Sequence, residues 1–200
     1  MQPQPTPPLS AEQKRLRQYE AQRRHLSRIL VAEENRLTQL SCAELRTLSR
    51  GLISEIKKQI KKIDRAISDL IAQDQMLCVK AQKLTAISGV GVRTAALLLA
   101  QMPELGQLNR RQAAALAGLA PFNHDSGSIH GKRAIFGGRP ALRSGLYMAA
   151  LSAARFNPIL SSFYQRLRAK GKPHKLALIA VMRKLLLALN HTLKPIPCTT

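Results

Sequence analysis

The densest chemistry in the chain lies between Phe122 and Arg143. Phe122-Asn123-His124-Asp125-Ser126-Gly127-Ser128 is followed by Gly131-Lys132-Arg133 and then by Gly137-Gly138-Arg139. A serine beside glycine in a basic loop has what attack on a phosphodiester requires. The hydroxyl is open to approach, a neighbour can take its proton, and cations can face the charge that develops on phosphorus. Lys132, Arg133, Arg139 and Arg143 are the candidate cations. Asp125 or His124 is the candidate to orient Ser126 or accept its proton, and Ser128 is the reserve hydroxyl. Asp-Ser-Gly is also an ordinary turn sequence, so spacing alone leaves both readings open.

A second cluster is Ile87-Ser88-Gly89-Val90-Gly91-Val92-Arg93, ahead of a run rich in Ala and Leu. Gly89 and Gly91 allow a tight turn, and the helix that follows would aim its first N–H groups at a phosphate, with Arg93 adding a charged contact. That is a helix-hairpin-helix-like reading. A two-glycine turn between packed helices fits the same residues. Further on, Lys170-Gly171-Lys172-Pro173 is a basic turn whose lysines are candidates to bind nucleic acid. Phe156, Phe163, Tyr147 and Tyr164 sit among apolar neighbours and read as packing residues. His174 and His191 have no partner at ligand spacing and read as surface residues. Cys42, Cys78 and Cys198 lack metal or disulfide spacing, which points to a reducing compartment and to no metal or other cofactor held by this chain.

The elements that must position these groups read as helices. Leu, Ala and Ile dominate the apolar residues, aromatics are 4% and Trp is absent, a balance that favours helix over sheet. Residues 1–9 read as a disordered lead-in, and Ser10 with Gln13 forms a capping box that opens the first helix. After a break at Ser41-Cys42, a stripe runs Leu45, Leu48, Leu52, Ile56, Ile60, Ile63, Ile67, Leu70 and Ile71, with Lys57, Lys58, Lys61 and Lys62 between. Antiparallel coiled-coil arms that bring copies together and a plain helical hairpin account for it equally. The expected organisation is a helical arm over 10–82, a compact helical domain over 83–194 with its glycine-rich site loop, and a tail over 195–200. The fold class is all-α.

Charge narrows the partner. Lys and Arg number 32 against 11 Asp and Glu, a formal net charge of +21, and after Glu104 the only acid is Asp125 against fifteen Lys and Arg. A surface so basic repels itself unless a polyanion neutralises it. Condensation onto phosphates would release counterions and make affinity steeply salt-dependent. No apolar run reaches the length of a membrane span, so no membrane is expected as a partner.

In their order, these landmarks resemble the DEDD-type insertion-sequence transposases of the IS-one-ten family, over Leu84–Leu193. They are Ser-Gly-Val-Gly at 88–91, Pro-Glu-Leu-Gly at 103–106, Ala-Ala-Leu-Ala-Gly-Leu-Ala-Pro-Phe-Asn at 114–123 and Asp-Ser-Gly at 125–127. Ile-Phe-Gly-Gly-Arg at 135–139, Arg-Phe-Asn-Pro at 155–158, Phe163-Tyr164 and Met-Arg-Lys-Leu-Leu at 182–186 complete the series. The resemblance implies that Ser126 is a nucleophile forming a covalent link to DNA. It also implies that an RuvC-like domain bearing four acidic residues holds Mg²⁺ beside that serine. Nine Pro- and Gln-rich residues ahead of the arms do not supply such a domain, so the expectation is a fragment dependent on it and inactive by itself. The resemblance further implies DNA as partner, a structured guide RNA, and a bacterial cytoplasmic, nucleoid-associated location. A non-catalytic DNA- or RNA-binding module is the rival reading.

Overall fold

The computed structural model describes residues 9–122, 134–135 and 137–195. Its helices are α1 (Ala11–Gln39), α2 (Ala43–Gln73), α3 (Gln75–Thr85), α4 (Val92–Gln101), α5 (Arg110–Leu116), α6 (Pro140–Phe156), α7 (Pro158–Ala169) and α8 (His174–Thr192). The class is all-α. One small addition escaped the sequence: Pro121–Phe122 (β1) pairs antiparallel with Ala134–Ile135 (β2), Pro121 opposite Ile135. The chain divides into two compact units, the first ending at Cys78 and the second running from Val79, within α3.

In the first unit, Ser10 caps α1 through the expected box: its hydroxyl accepts from the Gln13 amide at 3.1 Å, and the Gln13 side chain accepts from the Ser10 amide at 3.2 Å. α1 and α2 pack along each other as a hairpin. The buried line on α2 runs through Ser49, Ile53, Ile56, Ile67, Leu70 and Ile71. Ser49 stands on it because its hydroxyl donates to Glu33 of α1 at 2.7 Å, and a satisfied polar group costs little to bury. Near the hairpin tip the sequence-expected stripe fails. Leu45, Leu48 and Leu52 face outward, Leu48 at 70% exposure. The 3.6-residue helix drifts against the apolar spacing, so α1 covers the line through Ser49 and Ile53 instead. Arg23, buried on α1, is met by Asp64 of α2, and Lys57 reaches Glu34 at 2.8 Å.

In the second unit, α6, α7 and α8 pack against one another, α4 lies on α6 and α5 on α8. α8 buries Ala177, Leu178, Val181, Met182, Leu185, Leu186 and Leu189, a face wider than a single amphipathic stripe. Each large aliphatic so buried contributes about 1.5–3 kcal/mol. Asn190, buried at the end of this face, accepts from the Gly106 amide at 2.8 Å and donates to the Leu108 carbonyl at 2.7 Å. It thereby ties the α4–α5 connection to α8.

Candidate functional site

Ser126, Asp125, Lys132 and Arg133, with His124 and Ser128, lie outside the described residues. What the structure describes is the neck from which that segment leaves and returns. Gly118 (φ +65°) and Gly138 (φ +62°) cross backbone to backbone: a Cβ on Gly118 would strike the Gly137 carbonyl, and one on Gly138 would strike the Gly118 backbone. Only glycine allows both the left-handed backbone and this approach. The Arg139 amide donates to the Leu116 carbonyl at 2.8 Å, and β1 pairs with β2 just beyond.

Two arginines close the neck. Arg139 grips the carboxylate of Glu104 with both terminal nitrogens, at 3.0 and 2.8 Å, and also donates to the Gln101 carbonyl. Hydrogen bonding to Glu104 holds the Arg139 guanidinium above its usual pKa, against the opposing effect of burial. Arg143 donates to the Gly137 carbonyl at 2.7 Å and to the Gly118 carbonyl at 3.4 Å. Both guanidiniums thus have protein partners at the neck. Glu104 belongs to this arrangement, and no local pattern announced it: it lies 35 residues from Arg139.

At the second cluster, Gly89 (φ +101°) presses on α6, and a Cβ there would lie 2.6 Å from the Ala153 backbone. Gly91 has nothing within 4 Å and an ordinary φ of −84°, and it stands as the N-cap of α4 with no side chain capping that end. Arg93 is exposed in the first turn of α4. The two glycines therefore have separate duties, the first set by packing and the second by an open helix start.

The third cluster departs from expectation. Phe156, read as a packing residue, is 71% exposed: it is the last residue of α6, and the chain turns at the Asn157 cap before the side chain can be covered. Tyr164, read as a packing residue, and His174, read as a surface residue, are joined by a 2.6 Å hydrogen bond between hydroxyl and Nδ1. Their separation of ten residues belongs to no helical period, so only the α7–α8 turn brings them together. Lys170 and Lys172 are exposed on that turn.

The described carboxylates do not make a metal centre. No group of three or more His, Cys, Asp or Glu residues converges among the described residues. Asp64 meets Arg23, Glu104 meets Arg139, and Asp74 accepts from the Leu77 amide. Nor is any helix among the described residues long and apolar enough to cross a membrane.

Residues 81–165 match the family model described as Transposase IS116/IS110/IS902 family. A pilin gene-inverting protein of Moraxella lacunata is 36% identical over 170 residues, covering 82% of this chain and 52% of its own length. An insertion element IS110 uncharacterized 43.6 kDa protein of Streptomyces coelicolor is 33% identical over 134 residues, 66% of this chain and 32% of that protein. An insertion element IS900 uncharacterized 42 kDa protein of Mycobacterium paratuberculosis is 31% identical over 146 residues, with 68% and 36% covered. The chain thus matches about half or less of the length of these relatives.

Proposed function

Because this chain belongs to the IS116/IS110/IS902 transposase family, we propose that it rearranges DNA through the hydroxyl of Ser126. The observation that carries the DNA part is charge. From Val79 to Thr200 the chain has 18 Lys and Arg against two acids, Glu104 and Asp125, while residues 8–78 have 14 against nine. Such a unit suits a polyanion and little else. One relative is named for inverting a pilin gene, which is a DNA rearrangement.

The serine part rests on the order of the motifs and on a neck suited to presenting a loop. In the proposed step, Ser126 Oγ loses its proton to a neighbouring base such as Asp125 or His124 and bonds to phosphorus. The bridging P–O bond on the far side breaks, and the departing oxygen takes up a proton. The serine–phosphate ester conserves the energy of the broken linkage, so a strand can be rejoined by the reverse step. Lys132 and Arg133 would face the developing charge. With Arg139 and Arg143 engaged at the neck, they serve as positioning residues in this scheme. Mg²⁺ would call for carboxylates beyond those of the described residues, which do not converge.

Gly91 and Arg93 at the α4 start form the proposed helix-hairpin-helix-like contact to the DNA backbone. A structured RNA as guide and self-association through the α1–α2 hairpin complete the proposal. A second reading, nucleic-acid binding without bond cleavage, draws support from the engagement of Arg139 and Arg143 by protein groups.

The test mixes the chain with labelled element-end DNA and Mg²⁺, with and without an RuvC-like partner domain and the element's RNA, and resolves the products on denaturing gels. A protein–DNA adduct that vanishes in Ser126→Ala is the expected result. Salt-sensitive binding with no adduct in any combination would leave the second reading.

A further inference from the structure

The strongest unassigned feature of the molecule is the α7–α8 hairpin. From Phe156 to Pro195 it carries eight Lys and Arg and no acid. Its cations are gathered rather than dispersed. Arg166 of α7 and Lys184 of α8 share one aromatic ring, that of Phe163, at 5.6 and 4.6 Å from its centre. Two like charges held at one ring repel each other, and an anion drawn to them would relieve that repulsion. At the tip, Arg168 donates to the Lys172 carbonyl at 2.6 Å and so braces the turn, and Gly171 (φ +74°) has nothing within 4 Å of where a Cβ would stand. Lys170, Lys172 and Lys175 project from the braced tip as exposed groups.

We infer that the α7–α8 hairpin is a sequence-independent grip on the phosphate backbone of duplex DNA, with the Tyr164–His174 pair as its hydrogen-bonding element. The cations supply attraction, and the pair supplies direction. The hydroxyl of Tyr164 and Nδ1 of His174 hold each other at 2.6 Å, which fixes the exposed imidazole at the start of α8. The imidazole is thereby held in place in the same exposed stretch of chain as Lys172 and Lys175. Lysines hold a phosphate as point charges at variable geometry, and a ring held in place by a second side chain adds the register they lack.

The inference rests on the reading that DNA is the substrate, and its test is a salt titration. Binding of the full chain to a labelled 30-base-pair DNA duplex of arbitrary sequence is measured between about 0.05 and 0.3 M salt. Each cation that meets a phosphate should contribute about 0.9 to the slope of log K against log salt. The variant R168Q/K170Q/K172Q/K175Q should therefore lower the slope by roughly 2–4 units, with at least about a tenfold loss of affinity at 0.1 M. Y164F should weaken binding several-fold at unchanged slope, because it removes no charge. A control with equal charge loss, K57Q/K58Q/K61Q/K62Q on α2, should change the slope by less than half as much. Circular dichroism and thermal melting establish that each variant is folded.

An equal fall in slope for both quadruple variants would overturn the grip, since net charge alone would then explain the binding. Unchanged affinity in Y164F, or tighter binding to an RNA duplex of the same length, would overturn it too. The adduct assay and the salt titration are separate readouts. A missing adduct therefore counts against the serine reading alone, and an unchanged slope in the hairpin variant against the grip alone.

Discussion

Glu104 and Arg139 show how one pair can decide the shape of the neck. Their side chains are 14% and 32% exposed, so the pair is neither a free surface contact nor a fully dry one. Its two parallel hydrogen bonds hold geometry as well as charge. Glu104→Gln should lower stability by about 1–2 kcal/mol, below the cost of breaking a fully buried pair because water still reaches Arg139. A urea midpoint measures it. Combined with Arg139→Gln, the loss should be clearly less than the sum of the two single losses, because both remove the same interaction. Additive losses would mean that the two side chains do not act together at the neck.

Among the elements, the α3–α4 turn separates two glycines that look alike in sequence. Gly89→Ala sets a Cβ against the α6 backbone at a positive φ and should cost about 2 kcal/mol or more, read as a drop in thermal midpoint. Gly91→Ala has room, so it should cost no more than about 1 kcal/mol as a poorer helix cap. If a phosphate sits at the α4 start, Gly91→Ala should still weaken DNA binding. Full binding in that variant would remove the helix-hairpin-helix-like contact. The α1–α2 hairpin makes a parallel case. Leu45, Leu48 and Leu52 form an exposed row, spaced to lie on one side of α2. Leu48→Asp should leave helicity intact yet convert any self-associated species to monomers in sedimentation. Ile60 is half-buried, so the same change there would disturb the hairpin itself.

For the whole molecule, charge is the dominant quantity. A formal +21, concentrated beyond Val79, burdens the folded state with self-repulsion that a polyanion can remove. Short duplex DNA present at about a hundred times its dissociation constant stabilises a folded binder by about 2.7 kcal/mol, which corresponds to roughly 5–10 °C in the thermal midpoint. That shift should fade as salt rises from about 0.05 to 0.3 M, because screening replaces the DNA. A rise that persists unchanged at high salt would mean that the stabilisation is not electrostatic.

The all-α class, the break near 41, the Ser10 cap and the basic character of the second unit were all legible in the chain alone. Periodicity, capping and charge are local or summed properties, and a sequence carries them without reference to its fold. What lies between distant residues was not legible. The Glu104–Arg139 grip, the Gly118–Gly138 crossing, the β1–β2 pairing and the Tyr164–His174 bond each join segments with no periodic relation, so only chain packing could select them. The same holds for Phe156 and Leu48, whose apolar character argued for burial. Composition shows that a side chain prefers to leave water, but whether a neighbour arrives to cover it depends on where the helix ends and how its face turns.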